Sequence, residues 1–267
     1  MTVDRPWRIG LRTVALTYLA LLLIIPIGLV FYRTFEDGVG AVWDSITTPA
    51  AISAFWLTIT VTLIAVPLNT IFGVLCALAL ARGRFRGKAL LDTVIDLPFA
   101  ISPVVVGLAL ILEFGRGGWL GGLADHGIKI LFAVPGMVLA TMFVSLPFVV
   151  REVVPVLREI GTEQEQAAET LGASPFQTFW RITLPAIRWA VAYGVVLTTA
   201  RAIGEFGAVS VVSGKIQGRT ETLPLYVQAQ FEQFDIQGAY AASVILALIA
   251  VATVVGLRVI HPREEES

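Results

Sequence analysis

The sequence predicts an all-α integral membrane protein with six transmembrane helices, a long cytoplasmic loop, and N- and C-termini that are both cytoplasmic. Three observations carry that prediction. Of 267 residues, 56% are hydrophobic and 15% charged, with a mean hydropathy of +0.81, whereas a water-soluble domain holds roughly a quarter charged residues. Uncharged stretches recur that are long enough to cross a hydrocarbon core about 30 Å thick, which takes about 20 helical residues. Lysine and arginine are also distributed unequally between the two ends of those stretches. Such hydrophobicity excludes a disordered chain. The net charge of −1 leaves no basic field to attract nucleic acid.

The first span is residues 13–32, between Arg12 and Arg33. Arg5, Arg8 and Arg12 ahead of an apolar run imitate a secretory signal, but no small-residue cleavage pattern follows, so the helix is expected to be retained. Asp37 and Asp44 then fall in an exterior loop. A second span, residues 53–81, contains Pro67, a kink that neighbouring helices can tolerate. The third, residues 93–112, includes Asp96, Pro98 and Pro103 and is expected to be broken or partly interfacial. Residues 130–150 make the fourth and residues 236–257 the sixth. The fifth, residues 189–212, is interrupted by Arg201 and Glu205.

Assigning the 19 basic residues to alternating sides puts 13 on the side of the termini, five on the other, and Arg201 within a span. The basic side is the cytoplasmic one. Glu264, Glu265 and Glu266 close the chain as a solvated acidic tail, residues 261–267. The single Cys76 excludes an internal disulfide, and His126 and His261 are too far apart to suggest a metal site. The stretch GRFRGKA from Gly83 to Ala89 superficially resembles a phosphate loop. It has three residues between its glycines rather than four, and no Ser or Thr follows Lys88. No catalytic motif stands out, so neither an enzyme nor a nucleotide-binding chain is expected.

The cytoplasmic stretch 151–188 is too long for a bare connection. Thr162 with Glu165 three residues on reads as a capping box, opening a short helix through Ala167, Ala168 and Leu171 that Gly172 ends in a left-handed conformation. Ser174 and Pro175 read as the N-cap and first position of a second short helix through Phe176, Phe179 and Trp180, with Pro185 closing the unit. These helices could lie on the bilayer surface. Glu163, Glu165 and Glu169 argue against the anionic inner leaflet and favour a protein partner.

At this stretch the sequence resembles a known family. EQAAETLGASPFQTFWRITLP is similar to the EAA loop of the inner-membrane permease subunits of ABC importers, with Ala167, Ala168, Gly172, Ile182, Leu184 and Pro185 matching the pattern. The family's glutamate position holds Gln166, with Glu165 beside it. IAVPLNTIFGV, IDLPFAISPVVVGL, FAVPGMVLATMFVSLPFVVRE and ARAIGEFGAVSVVSGKIQGRTETLPL narrow the resemblance to permeases of sulfate and thiosulfate importers of the CysW kind. Molybdate and tungstate permeases share the loop and the fold.

The resemblance implies a type-1 transmembrane domain over residues 53–260, preceded by an N-terminal segment, 1–52, with the first span. It implies a coupling helix that docks on an ATPase subunit of the CysA kind. It further implies a sibling permease of the CysT kind, an extracytoplasmic sulfate-binding protein, and a place in the bacterial inner membrane. This chain itself would bind no cofactor, since ATP and Mg would sit on the ATPase. A self-contained channel or secondary carrier is the alternative class; a carrier of this size is expected to show inverted repeats and midplane coupling charges.

A charge inside a bilayer costs at least about 2.5 kcal/mol, so Arg201 and Glu205 need a reason to be there. Four residues apart on one helix face, they can pair with each other. Alternatively, Arg201 faces a water-filled path for a dianion, with Gly204, Glu205 and Gly207 shaping a gate. Asp96 is expected to cap a helix start or to pair with a basic residue of the 82–88 loop.

Overall fold

The computed structural model describes residues 5–260, with side chains from 10 to 256. The acidic tail, His261, and the side chains of Arg5, Arg8 and Arg258 therefore lie outside the described residues. Among the described residues all regular structure is helical, with no strand.

The chain begins with α1 (Arg5–Leu19), which passes through a π-helical turn (Ala20–Ile24) into α2 (Ile25–Phe35). The next helix, α3 (Gly38–Ile46), occupies the region expected to be an exterior loop. α4 (Pro49–Arg82) is 34 residues long and continues unbroken past Pro67, giving a rod about 51 Å long at ~1.5 Å per residue. Its start is fixed locally: the Thr48 hydroxyl accepts the Ala51 N–H at 3.2 Å, and Pro49 occupies the first turn.

The expected break in the third span falls where Pro103 places it. α5 (Lys88–Ala100) and α6 (Pro103–Phe114) meet at 113°. After a 3₁₀ turn (Gly121–Leu123), α7 (Val134–Glu159) runs the length of α4 and packs along it. The loop helices α8 (Glu163–Thr170) and α9 (Pro175–Thr178) follow.

Pro185 does not close the unit, contrary to the sequence expectation. From α9 the helix continues through a π-helical turn (Phe179–Thr183) into α10 (Leu184–Ile203), so that one 29-residue helix, Pro175–Ile203, spans from the loop into the body. Proline lacks an N–H, and its ring crowds the carbonyl four residues back. Here the Leu184 N–H bonds instead to the Phe179 carbonyl, five residues back, and the wider turn accommodates Pro185. The same device precedes Pro26, where the Ile25 N–H reaches the Ala20 carbonyl.

The fifth span thus begins and ends earlier than the expected 189–212. It stops at Gly204, and α11 (Gly207–Val212) is a separate short helix packed on α6 and α7. Next comes α12 (Leu223–Glu232), which the sequence reading missed, and then α13 (Ile236–Ile260). Among the described residues five helices are long and apolar enough to cross a membrane, or six where the bent α5–α6 pair is counted as one span.

Positions along α4 order the buried apolar clusters. Nearest α8, Leu80 of α4 packs with Ile95, Val153, Leu157 and Ile187. Midway, Val61 and Ala65 meet Val106, Met137, Val144 and Val209. At the far end, Ala51 and Ala54 meet Leu223, Tyr226 and Ala242. Ile95 of α5 lies in the first cluster and Val106 of α6 in the second, so the two halves of the bent pair pack at different levels along α4.

Close approach of α4, α7 and α10 depends on two glycines. A Cβ on Gly73 would lie 2.7 Å from Val149 Cβ, and one on Gly194 would lie 2.8 Å from Val149 Cα, the small-residue packing expected of helices in a bilayer. Asn69 reinforces the contact by donating to Ser145 Oγ at 2.8 Å and to the Met142 carbonyl at 3.0 Å.

Candidate functional site

The loop between α7 and α10 presents two faces. Outward lie Gln166, Ala167 and Gly172, with Leu171 89% and Phe176 72% exposed. Trp180 is exposed beside them, its ring tilted against Phe176 at 6.0 Å and edge-to-face with Phe179 at 5.7 Å. Ala168, Ile182 and Leu184 are half-buried and Pro185 is exposed.

Gly172 has φ +86°, as its place after α8 requires. The Gly172 N–H donates to the Glu169 carbonyl, and the Ala173 N–H reaches back to Ala168, closing the helix end. The Ser174 capping box is present, with the hydroxyl accepting the Gln177 N–H and the Gln177 side chain accepting the Ser174 N–H.

The capping box expected at Thr162 is absent. The Thr162 hydroxyl accepts from the Gln166 amide at 3.1 Å instead, and Glu165 turns inward to a tertiary partner. Its carboxylate forms an ion pair with Arg82 Nε at 3.0 Å and accepts from the Thr183 hydroxyl at 2.9 Å. Arg82 also donates to the Leu157 carbonyl at 2.7 Å and to the Gly161 carbonyl at 2.5 Å. Gly161, at φ +64°, was passed over in the sequence. A glycine directly after a long helical run is the signal that would have flagged it.

Asp96 pairs with neither a helix start nor the 82–88 loop. Together with Asp92 it holds Arg151 of α7; Arg151 Nε donates to Asp96 at 2.8 Å and a terminal nitrogen lies 3.0 Å from Asp92. That pairing ties α5 to α7.

Within the body, Arg201 and Glu205 pair at 2.8 Å, the local pairing open to residues four apart. The Glu205 side chain is 1% exposed and that of Arg201 32%. Glu205 also accepts the Ala208 N–H at 2.9 Å and so binds the first turn of α11. Gly207 allows close packing, since a Cβ there would lie 2.8 Å from Pro103 of α6. Gly204 has an ordinary distance of 3.7 Å to its nearest neighbour, so its value is in ending α10. Glu221, in the stretch before α12 and outside the candidate spans, is a further buried carboxylate missed in the sequence, and burial pushes its pKa up.

A bundle of membrane-length apolar helices with one helix carried out into an exposed apolar loop defines a multi-pass membrane protein. The chain belongs to the family of binding-protein-dependent transport system inner membrane components, whose model matches residues 69–266. A sulfate transport system permease protein CysW of Synechocystis sp. is 52% identical over 254 residues, covering 95% of this chain and 92% of the relative. A sulfate transport system permease protein CysT of Synechococcus elongatus is 42% identical, covering 87% and 84%. The fold is shared with a chain of a bacterial alginate ABC transporter solved in complex with an alginate pentasaccharide-bound periplasmic protein, at TM-score 0.79, 18% identity, and 98% and 96% coverage.

Proposed function

We propose that this chain is the non-catalytic permease subunit of an ATP-driven importer that carries sulfate and thiosulfate across the bacterial inner membrane. The observation that carries the reading is the 52% identity to a sulfate transport permease along nearly the whole of both chains. The exposed Leu171, Phe176 and Trp180 supply the apolar face by which α8 and α9 dock on an ATPase subunit, with Gly172 setting the turn between them. A CysT-like sibling permease completes the path, and a sulfate-binding protein delivers the anion. ATP and Mg are bound by the ATPase. The half-exposed Arg201 guanidinium, oriented by Glu205 and flanked by Gly204 and Gly207, faces the path and offers its charge to the dianion in passing.

Labelled sulfate uptake into proteoliposomes containing this chain, its sibling, the ATPase and the binding protein tests the reading. Uptake that requires ATP and this chain, and that thiosulfate competes, is the expected result. Preferential competition by molybdate reassigns the anion. Uptake by this chain alone under an ion gradient reassigns it to the secondary carriers.

A further inference from the structure

Arg82, the last residue of α4, touches more separate elements than any sequence motif assigns to it. One terminal nitrogen donates to the Leu157 carbonyl in the last turn of α7, an end where helical carbonyls lack intrahelical partners and a cation is favoured. The other donates to the Gly161 carbonyl in the turn between α7 and α8. The Nε side faces the Glu165 carboxylate on α8, and Glu165 in turn holds Thr183, buried at the base of α10. The side chains of Arg82 and Glu165 are only 20% and 18% exposed, above the packed Leu80 and Leu157.

A planar guanidinium can serve two carbonyls and a carboxylate at once, whereas a lysine ammonium lacks that fork. One side chain therefore joins the ends of α4 and α7 to α8 and, through Glu165, to α10. The exposed remainder of α8 has no comparable anchor: the Gln166 and Thr170 side-chain bonds stay within the helix and its cap.

We propose that Arg82 is the positioning residue that mounts the loop helix α8 on the transmembrane bundle, so that displacement of α8 passes into α4, α7 and α10 together. The inference rests on the permease reading above and assigns the transmission of force to a residue outside the loop. Without the Arg82 fork, α8 rocks on its two connections, and ATP turnover no longer produces a matching movement of the helices.

The test uses the reconstituted importer with its sibling, ATPase and binding protein, and measures sulfate transported per ATP hydrolysed in the same vesicles. Arg82→Gln is expected to lower that ratio at least fivefold, with Arg82→Lys recovering part of it. Glu165→Gln lowers it less and adds nothing when combined with Arg82→Gln. Arg84→Gln, which removes an exposed charge two residues away, keeps the unmodified ratio.

A nitroxide at Thr170→Cys in a Cys76→Ser background reports the mount directly, its spectrum sharpening in Arg82→Gln. An unchanged ratio with unchanged spectral lines overturns the inference. If Arg82→Gln does not assemble, Arg82→Lys and Glu165→Gln decide by the same two readings. If the unmodified complex shows no ATP-dependent uptake, the permease reading falls, and the nitroxide spectrum still decides whether Arg82 holds α8.

Discussion

Two arginine–glutamate pairs do different work with the same chemistry. Arg82 and Glu165 are 83 residues apart and join separate helices at the loop end of the bundle. Arg201 and Glu205 are four apart, and their bond closes the end of α10. The long-range pair is partly wet and surrounded by backbone acceptors, so it behaves as a joint. In the local pair the Glu205 side chain is almost wholly enclosed, and the carboxylate also holds the first turn of α11. Sequence separation thus distinguishes a device that transmits from one that shapes.

The largest expected effect tests that contrast at Glu205. Glu205→Ala strips Arg201 of its counter-ion and leaves the Ala208 N–H without its acceptor, costing about 3–5 kcal/mol. The better hydrated Glu165, replaced in the same way, costs nearer 1 kcal/mol. Thermal unfolding of the purified complex in detergent measures both, and equal losses would break the contrast.

Gly194→Leu comes next, at about 1–3 kcal/mol, because its side chain must displace Val149. Gly204→Ala, with only an ordinary contact to meet, stays within about 0.5 kcal/mol by the same measurement.

Arg201→Ala sharpens the comparison on function. About tenfold slower sulfate uptake at normal assembly, equivalent to about 1.4 kcal/mol, is expected if the guanidinium meets the anion. Full uptake would reduce the pair to a structural one.

The smallest effect concerns Glu221, a buried carboxylate with no ion pair among the described residues. Its raised pKa means that the folded protein keeps the proton to higher pH than the unfolded chain does. Stability is therefore unaffected below the ordinary glutamate range and is lost as pH rises through the folded value. Melting curves of Glu221→Gln and the unmodified protein should coincide in acid and separate toward neutral pH, with the variant the more stable. A separation that opens in acid instead would contradict the buried assignment.

What the sequence disclosed follows from the range of the forces involved. Hydropathy is summed over about 20 residues, so the spans were visible, as was the break before Pro103. Gly172 and the Ser174 N-cap were visible because their partners lie within three or four residues, although Gln177, which completes the box, was passed over. Glu165 was misassigned because Thr162 offered it a local partner while the real one, Arg82, lay far off in the chain. Asp96 was assigned to a helix cap or to the nearby basic 82–88 loop for the same reason, Arg151 being 55 residues away. Pro185 read as a stop because proline ordinarily is one, and nothing local announced that a wider turn would absorb it. Helix α12 is half-buried against α4 and α13 and too short for a membrane signal.

The wider turn at Phe179–Thr183 also sets rotational phase. An α-helix advances about 100° per residue, so one residue more or fewer there would swing everything beyond it, from Ile187 to Glu205, by that angle about the axis. Gly194 would leave Val149, and Arg201 would turn toward a different neighbour. Loop and body are consequently locked in angle as well as in distance. A single-residue deletion anywhere in the turn should be more disruptive than most substitutions within it, because it would reset the facing of a whole helix while leaving its composition almost untouched.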